Sequence, residues 1–220
     1  MRKCALIVAM LFACLSMGGA VAEDPSPVVT DAEIKDLLKL IDDTQAELMK
    51  RVSGLTDEQW NFKTNPNRWS VGECLEHIAL SERGILQGVQ QAIGGPVDPD
   101  WAKKSAGKLA IVKQAVPNRN PQGQGGVQAP EPLQPVNKWG RQKGIEEFYA
   151  AHGHLRAYIE TMDRHIKDRG MPHPVPALGW MNAHDWLNLI LYHTVRHTKQ
   201  LIEVQEDPNY PKAAAATGGR

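Results

Sequence analysis

Apolar positions recur along this chain at intervals of three and four, in stretches separated by turn-forming residues. Ile34, Leu37, Leu38, Ile41, Leu48 and Val52 form the first stripe. Thr30, with Glu33 three residues on, is a capping box at its start, and Gly54 is a stop at its end. Thr56-x-x-Gln59 opens a short helical turn anchored by Trp60 and Phe62, and Asn65-Pro66-Asn67 then turns the chain. A third capping box, Ser70-x-x-Glu73, opens the stripe of Val71, Cys74, Leu75, Ile78, Ile85 and Val89, which Gly94-Gly95-Pro96 closes. Residues 139–167 carry Ile145, Phe148, Tyr149, Leu155, Ile159, Met162 and Ile166, with Gly170 and Pro172 as the stop. The last stripe begins at Asn182, an N-cap with Asp185 three residues on. It holds Trp186, Leu189, Ile190, His193, His197, Leu201 and Val204 and ends at Pro208. No stretch alternates with the period of a strand. The pattern predicts an all-α protein, a four-helix bundle with its core between facing stripes.

The remaining segments read differently. Arg2 and Lys3, the apolar run from Ala5 to Leu15, and Ala20-Val21-Ala22 match a secretory signal peptide over residues 1–22. The expected location is therefore secreted or periplasmic, with no membrane segment once the signal is removed. Residues 23–29 read as a linker and 30–207 as the bundle. Residues 96–138 read as a long loop between the second and third main helices, with a short helix inside 100–115. Residues 117–135 are rich in Pro, Gly and Gln; loops of this length are lids or disordered segments. Residues 208–220 read as a disordered tail.

Charge and cysteine content narrow the function classes. The 220 residues carry 25 basic and 25 acidic side chains. No positive excess exists to neutralise phosphates, which argues against nucleic acid as a partner. Of the three cysteines, Cys4 and Cys14 would leave with the signal. Cys74 alone cannot form an internal disulfide, so the fold must rest on its core.

The sharpest chemical feature is His193 with His197. Spacing of four places both rings on one side of a helix, among Leu189, Ile190 and Leu201. Buried imidazoles need a hydrogen-bond partner or a metal, and spacing alone leaves both open. His77 borders the second stripe and could meet them across the core. His152, His154 and His165 suit exposed or capping roles, His173 lies in a Pro-flanked loop, and His184 is in the first turn of the last helix. Three imidazoles around one point would leave open positions, as catalytic metals require. Glu73 has two readings: the capping carboxylate of its helix, or a general base or partner beside His77. Thr194 stands where H-E-x-x-H would need its Glu, and Glu73-x-x-x-His77 is not the E-x-x-H of di-metal carboxylate bundles. Cys74 lies on an apolar stripe, where thiols are usually inert. Trp60, Trp69, Trp180 and Trp186 read as anchors at helix ends. Arg196 reads as facing solvent or an acidic partner.

Three stretches together resemble the DinB-like superfamily of four-helix bundles. Arg68-Trp69-Ser70-Val71-Gly72-Glu73-Cys74-Leu75-Glu76-His77-Ile78 is similar to its W-S-x-x-E-x-x-x-H-I entry to the second helix. Leu55-Thr56-Asp57-Glu58-Gln59-Trp60 resembles its connecting turn, and Tyr192-His193-Thr194-Val195-Arg196-His197 its H-x-x-x-H final helix. The resemblance implies a divalent metal held by His77, His193 and His197, nickel or zinc first, with iron or manganese as further options. The superfamily's characterised members include thiol S-transferases and a thiol-using isomerase, and some dimerise, which makes a homodimer one assembly state. The three-histidine set and the long loop point to a metal-dependent hydrolase or thiol S-transferase acting on a small molecule. The alternative is a non-enzymatic bundle that binds metal or ligand.

Overall fold

The structure, a computed structural model, describes residues 25–119 and 128–212. The segment read as a signal peptide lies outside the described residues, as does the middle of the long loop. Among the described residues seven α-helices follow in chain order: α1 Asp31–Val52, α2 Asp57–Asn61, α3 Val71–Ile93, α4 Trp101–Ser105, α5 Lys108–Ala115, α6 Arg141–Thr161 and α7 Ala183–Gln205. The expected capping boxes at Thr30, Thr56 and Ser70 and the expected N-cap at Asn182 all form, the last as a capping box too, each side chain accepting from the N–H three residues on. Each satisfies donors that the first helical turn leaves orphaned, which is why these helices start where they do.

The four long helices α1, α3, α6 and α7 form the bundle. Around its ring the neighbours run α1, α7, α3, α6. Two apolar clusters fill the interior. Along α1 and α7 the early residues (Ile34, Leu37; Leu187, Leu191) join one cluster and the late ones (Leu48, Val52; Leu201, Val204) the other. Along α3 and α6 the order reverses: Cys74 and Leu75 before Leu86 and Val89, Phe148 before Leu155 and Ile159. So α1 and α7 run one way, and α3 and α6 the other. Consecutive α3 and α6 are therefore adjacent and parallel.

That parallel pairing accounts for the long insert. A 21-residue helix such as α6 is about 32 Å long, and the chain leaving α3 must travel back that distance before α6 can begin. The insert is a crossover connection. Its described residues hold α4, α5 and a 3₁₀ turn at Glu131–Leu133, with α5 packed on α7 and Val112 fully buried.

Four further features stand beside the sequence-based expectations. Residues 170–172 and 180–182 pair as a two-stranded antiparallel hairpin, β1 Gly170–Pro172 and β2 Trp180–Asn182. Strands of three residues are too short to show alternation. The end of the linker is docked at Val29, which is buried and whose N–H donates to the Arg164 carbonyl. The tail is held as far as Pro211: Gln59 Nε2 donates to the Pro211 carbonyl, and Tyr210 meets Phe62 edge-on at 5.5 Å. The third stripe also ends early. Ile166 is fully buried but lies beyond α6, so burial in a turn imitated helical spacing.

Between the two clusters each long helix contributes one polar side chain. Thr44, Glu82, His152 and Thr194 are all buried. Glu82 Oε1 accepts from His152 Nδ1 at 2.9 Å and from Thr194 Oγ1 at 2.8 Å. His152 Nε2 lies 3.0 Å from the Ile41 carbonyl. An acceptor on each ring nitrogen makes His152 an imidazolium. Burial pushes its pKa down, but the Glu82 carboxylate and the Ile41 carbonyl outweigh that and raise it. His152 was expected to be exposed or capping.

Candidate metal centre

Two helices bring three imidazoles together. The second turn of α3 carries His77, and α7 presents His193 and His197 one turn apart. Their ring centroids lie 4.4 Å (His77 to His197), 4.4 Å (His193 to His197) and 5.1 Å (His77 to His193) apart. One nitrogen from each ring falls within 4.8 Å of the others. His77 and His197 are buried, and His193 is half-buried.

The hydrogen bonds fix which nitrogens face the centre. His77 Nδ1 lies 2.6 Å from the Leu133 carbonyl. A carbonyl only accepts, so Nδ1 carries the proton and Nε2 is left with its lone pair. His197 Nδ1 lies 2.8 Å from Gln200 Oε1, and its Nε2 lies 3.1 Å from His193 Nε2. Two nitrogens bound to one ion at about 2.0–2.1 Å sit about 2.8–3.4 Å apart at octahedral or tetrahedral angles. The 3.1 Å spacing suits a shared ion.

Burial also holds the rings neutral. It lowers the pKa of His77, against the opposing pull of the Leu133 carbonyl. His193 is pushed down to about 3 by burial, then by repulsion from His77, Arg196 and His173. His197 falls well below its ordinary value through burial and the two neighbouring rings. Metal ligation requires neutral imidazole, so the site meets that requirement in advance. The donor set therefore suits a cation.

Other groups define the walls. Trp69 lies against His77 at 4.7 Å and His197 at 5.7 Å between centroids, so it covers the cluster as well as flanking the α3 N-cap. Ser81 Oγ is 3.4 Å from His77 Nε2. Arg119 binds Glu203 through two nitrogens, at 2.8 and 2.9 Å, and donates to Gln200 Oε1 at 3.2 Å. Arg196, expected at solvent or an acidic partner, donates to the carbonyls of Val116 and Asn118 in the crossover. Glu73 has both oxygens engaged, one by the Ser70 N–H at 2.8 Å and one by Lys63 at 2.7 Å. It acts as the capping carboxylate and does not join the histidine group. Cys74 is fully buried, and burial pushes its thiol far up, consistent with an inert side chain.

The remaining histidines are elsewhere. His154 is exposed, His165 pairs with Asp168 at 3.0 Å, His173 packs on Trp186, and His184 lies against Asn188. A surface hollow of about 690 Å³ lined by Gly88, Asp98, Lys104, Met171 and Trp180 shares no residue with the cluster. Sequence reasoning missed Gln200, Arg119 and the Leu133 carbonyl. It also missed Glu82, whose signal was available: it stands four residues after Ile78 on the apolar stripe of α3.

Residues 40–201 match the model of the DinB superfamily. The chain belongs to that superfamily. YuaE of Bacillus subtilis (strain 168), an uncharacterized protein, is 25% identical over 170 residues, covering 77% of this chain and 97% of its own. The solved structure of YfiT from Bacillus subtilis, described as "a probable metal-dependent hydrolase with an unusual four-helix bundle topology", is 13% identical with a TM-score of 0.48. That likeness covers 83% of this chain and 91% of YfiT.

Proposed function

We propose that this DinB bundle binds one divalent cation through His77, His193 and His197 and uses it as a metal-dependent hydrolase. The carrying observation is the convergence of three neutral imidazoles whose ligating nitrogens lie within 4.8 Å. The family resemblance puts nickel and zinc first, with iron or manganese as further options; imidazole ligands alone do not choose among them. When bound, the cation supplies a Lewis acid that lowers the pKa of water and polarises a substrate oxygen. His77 and His197 form the buried floor, Trp69 excludes water from one side, and the half-buried His193 marks the side a small-molecule substrate approaches. A thiol S-transferase would use the same open position with a thiolate in place of water.

The enclosure of the cluster favours a second reading. His77 is 2% and His197 7% exposed, as expected if the ion is structural or carries a ligand without turnover. Cobalt-substituted protein separates the two. An open position takes up azide and changes the visible spectrum; a closed one does not. Metal stoichiometry of untagged protein comes first: one ion per chain is expected, and none in His77→Ala. An ester panel and a thiol panel then distinguish hydrolase from transferase. No binding by wild-type protein overturns the proposal.

We further infer export to the periplasm or the medium. The charged start, apolar run and Ala20-Val21-Ala22 support it. Among the described residues no helix is long and apolar enough to cross a membrane. Nucleic acid is not part of the proposed function, and a homodimer remains the assembly state to test by light scattering.

A further inference from the structure

Both described stretches of the crossover reach the histidine cluster. From one, Arg119 donates to Gln200 Oε1, the atom that also faces His197 Nδ1. From the other, the Leu133 carbonyl meets His77 Nδ1 at 2.6 Å. We propose that the crossover connection is a working part of the metal site, Leu133 and Arg119 acting as positioning residues that set His77 and His197 to ligate through Nε2. The proposal rests on the metal-binding reading given above.

The logic for His197 runs through a side-chain amide. Gln200 can present either its oxygen or its nitrogen. Arg119 has no acceptor, so the atom facing it must be the oxygen. That oxygen then requires a donor from His197, and the proton must sit on Nδ1. Arg119 is itself fixed by the two bonds to Glu203, and its side chain is 9% exposed. Without the guanidinium, Gln200 is free to turn its NH₂ group toward the ring. The ring would then answer with the other tautomer, placing a proton where the lone pair is needed. For His77 the acceptor is a backbone carbonyl, which cannot turn alone; it moves only with its segment. Glu76 holds that segment, accepting the N–H groups of Val136 and Lys138, each at 3.2 Å. Hydrogen-bonded partners behind metal-bound histidines typically change affinity by about 10–100-fold when removed.

The test begins on metal-free wild-type protein. Long-range ¹H–¹⁵N spectra read histidine tautomers directly. His77 and His197 are expected as Nδ1–H; finding either as Nε2–H overturns the proposal whether or not metal binds. Zinc affinity is then measured by competition with a chromophoric chelator. Gln200→Leu and Arg119→Met are expected to weaken zinc by about 10–100-fold, with Gln200→Glu restoring affinity because its carboxylate only accepts. Glu76→Ala is expected to weaken it through His77. Should Gln200→Leu fail to fold, the tautomers of the wild-type protein still decide. Wild-type affinity in both Gln200→Leu and Arg119→Met, with zinc lost in His77→Ala, overturns the crossover's role and leaves the metal reading standing. No zinc binding by wild-type protein overturns that reading instead.

Discussion

Changing His152 to Leu removes the only imidazolium in the layer between the two apolar clusters and leaves the Glu82 carboxylate behind. Glu82 is 1% and His152 0% exposed, so no solvent compensates the charge. One Glu82 oxygen, Oε2, has no partner among the described residues even in the intact layer. Breaking a buried pair from one side costs about 3–5 kcal/mol, a large part of the ~5–15 kcal/mol that holds a domain together. With a urea slope of about 2 kcal/mol/M, the unfolding midpoint should fall by about 2 M. Replacing both partners is a different case. In Glu82→Leu/His152→Leu no charge remains. Thr194 Oγ1 can still donate to the Ile190 carbonyl at 3.2 Å, and Thr44 Oγ1 to the Leu40 carbonyl at 2.8 Å. The double variant should therefore recover most of the loss, since apolar replacement of a buried pair is often neutral or better. Urea unfolding of the wild type, both singles and the double closes the cycle. A double variant no more stable than the weaker single, or a His152→Leu cost under about 1 kcal/mol, refutes the reasoning.

Other consequences are as direct. Gly170→Ala would place a Cβ 2.1 Å from the Met181 carbonyl oxygen and 2.8 Å from Asn182 Cα, both backbone atoms that cannot step aside. A loss near 3 kcal/mol, about 6–12 °C in melting temperature, is expected, whereas Gly153→Ala, with nothing within 4 Å, should stabilise by about 0.5–1 kcal/mol. In metal-free protein His193 and His197 stay neutral while the unfolded chain takes up protons below about pH 6.5. Stability should therefore fall as pH drops from there toward the value of about 3 for His193, as urea titration at each pH would show. His152 works in the opposite sense. Its raised pKa contributes stability that is full below about pH 6.5 and lost as pH rises through the folded value, a loss that should vanish in His152→Leu. Saturating zinc at about 100 times its dissociation constant should add about 2.7 kcal/mol to the wild type and nothing to His197→Ala, readable as a melting shift.

The sequence by itself determined the local events. Each capping box is a four-residue arrangement whose donors and acceptors are all within reach in the chain, and all four formed. The apolar stripes likewise oriented the helices, and they placed His193, His197 and His77 toward the interior, because helical period is a property of contiguous residues. Tertiary structure alone decided that α3 and α6 run parallel, so that residues 96–138 became a crossover with helices of its own. Helix direction depends on packing summed over segments far apart, which no window of sequence contains. The same limit hid the partners of the histidines. The Leu133 carbonyl is chemically identical to every other carbonyl until folding brings it to His77, and Gln200 acquires a defined orientation only when Arg119 arrives from another part of the chain.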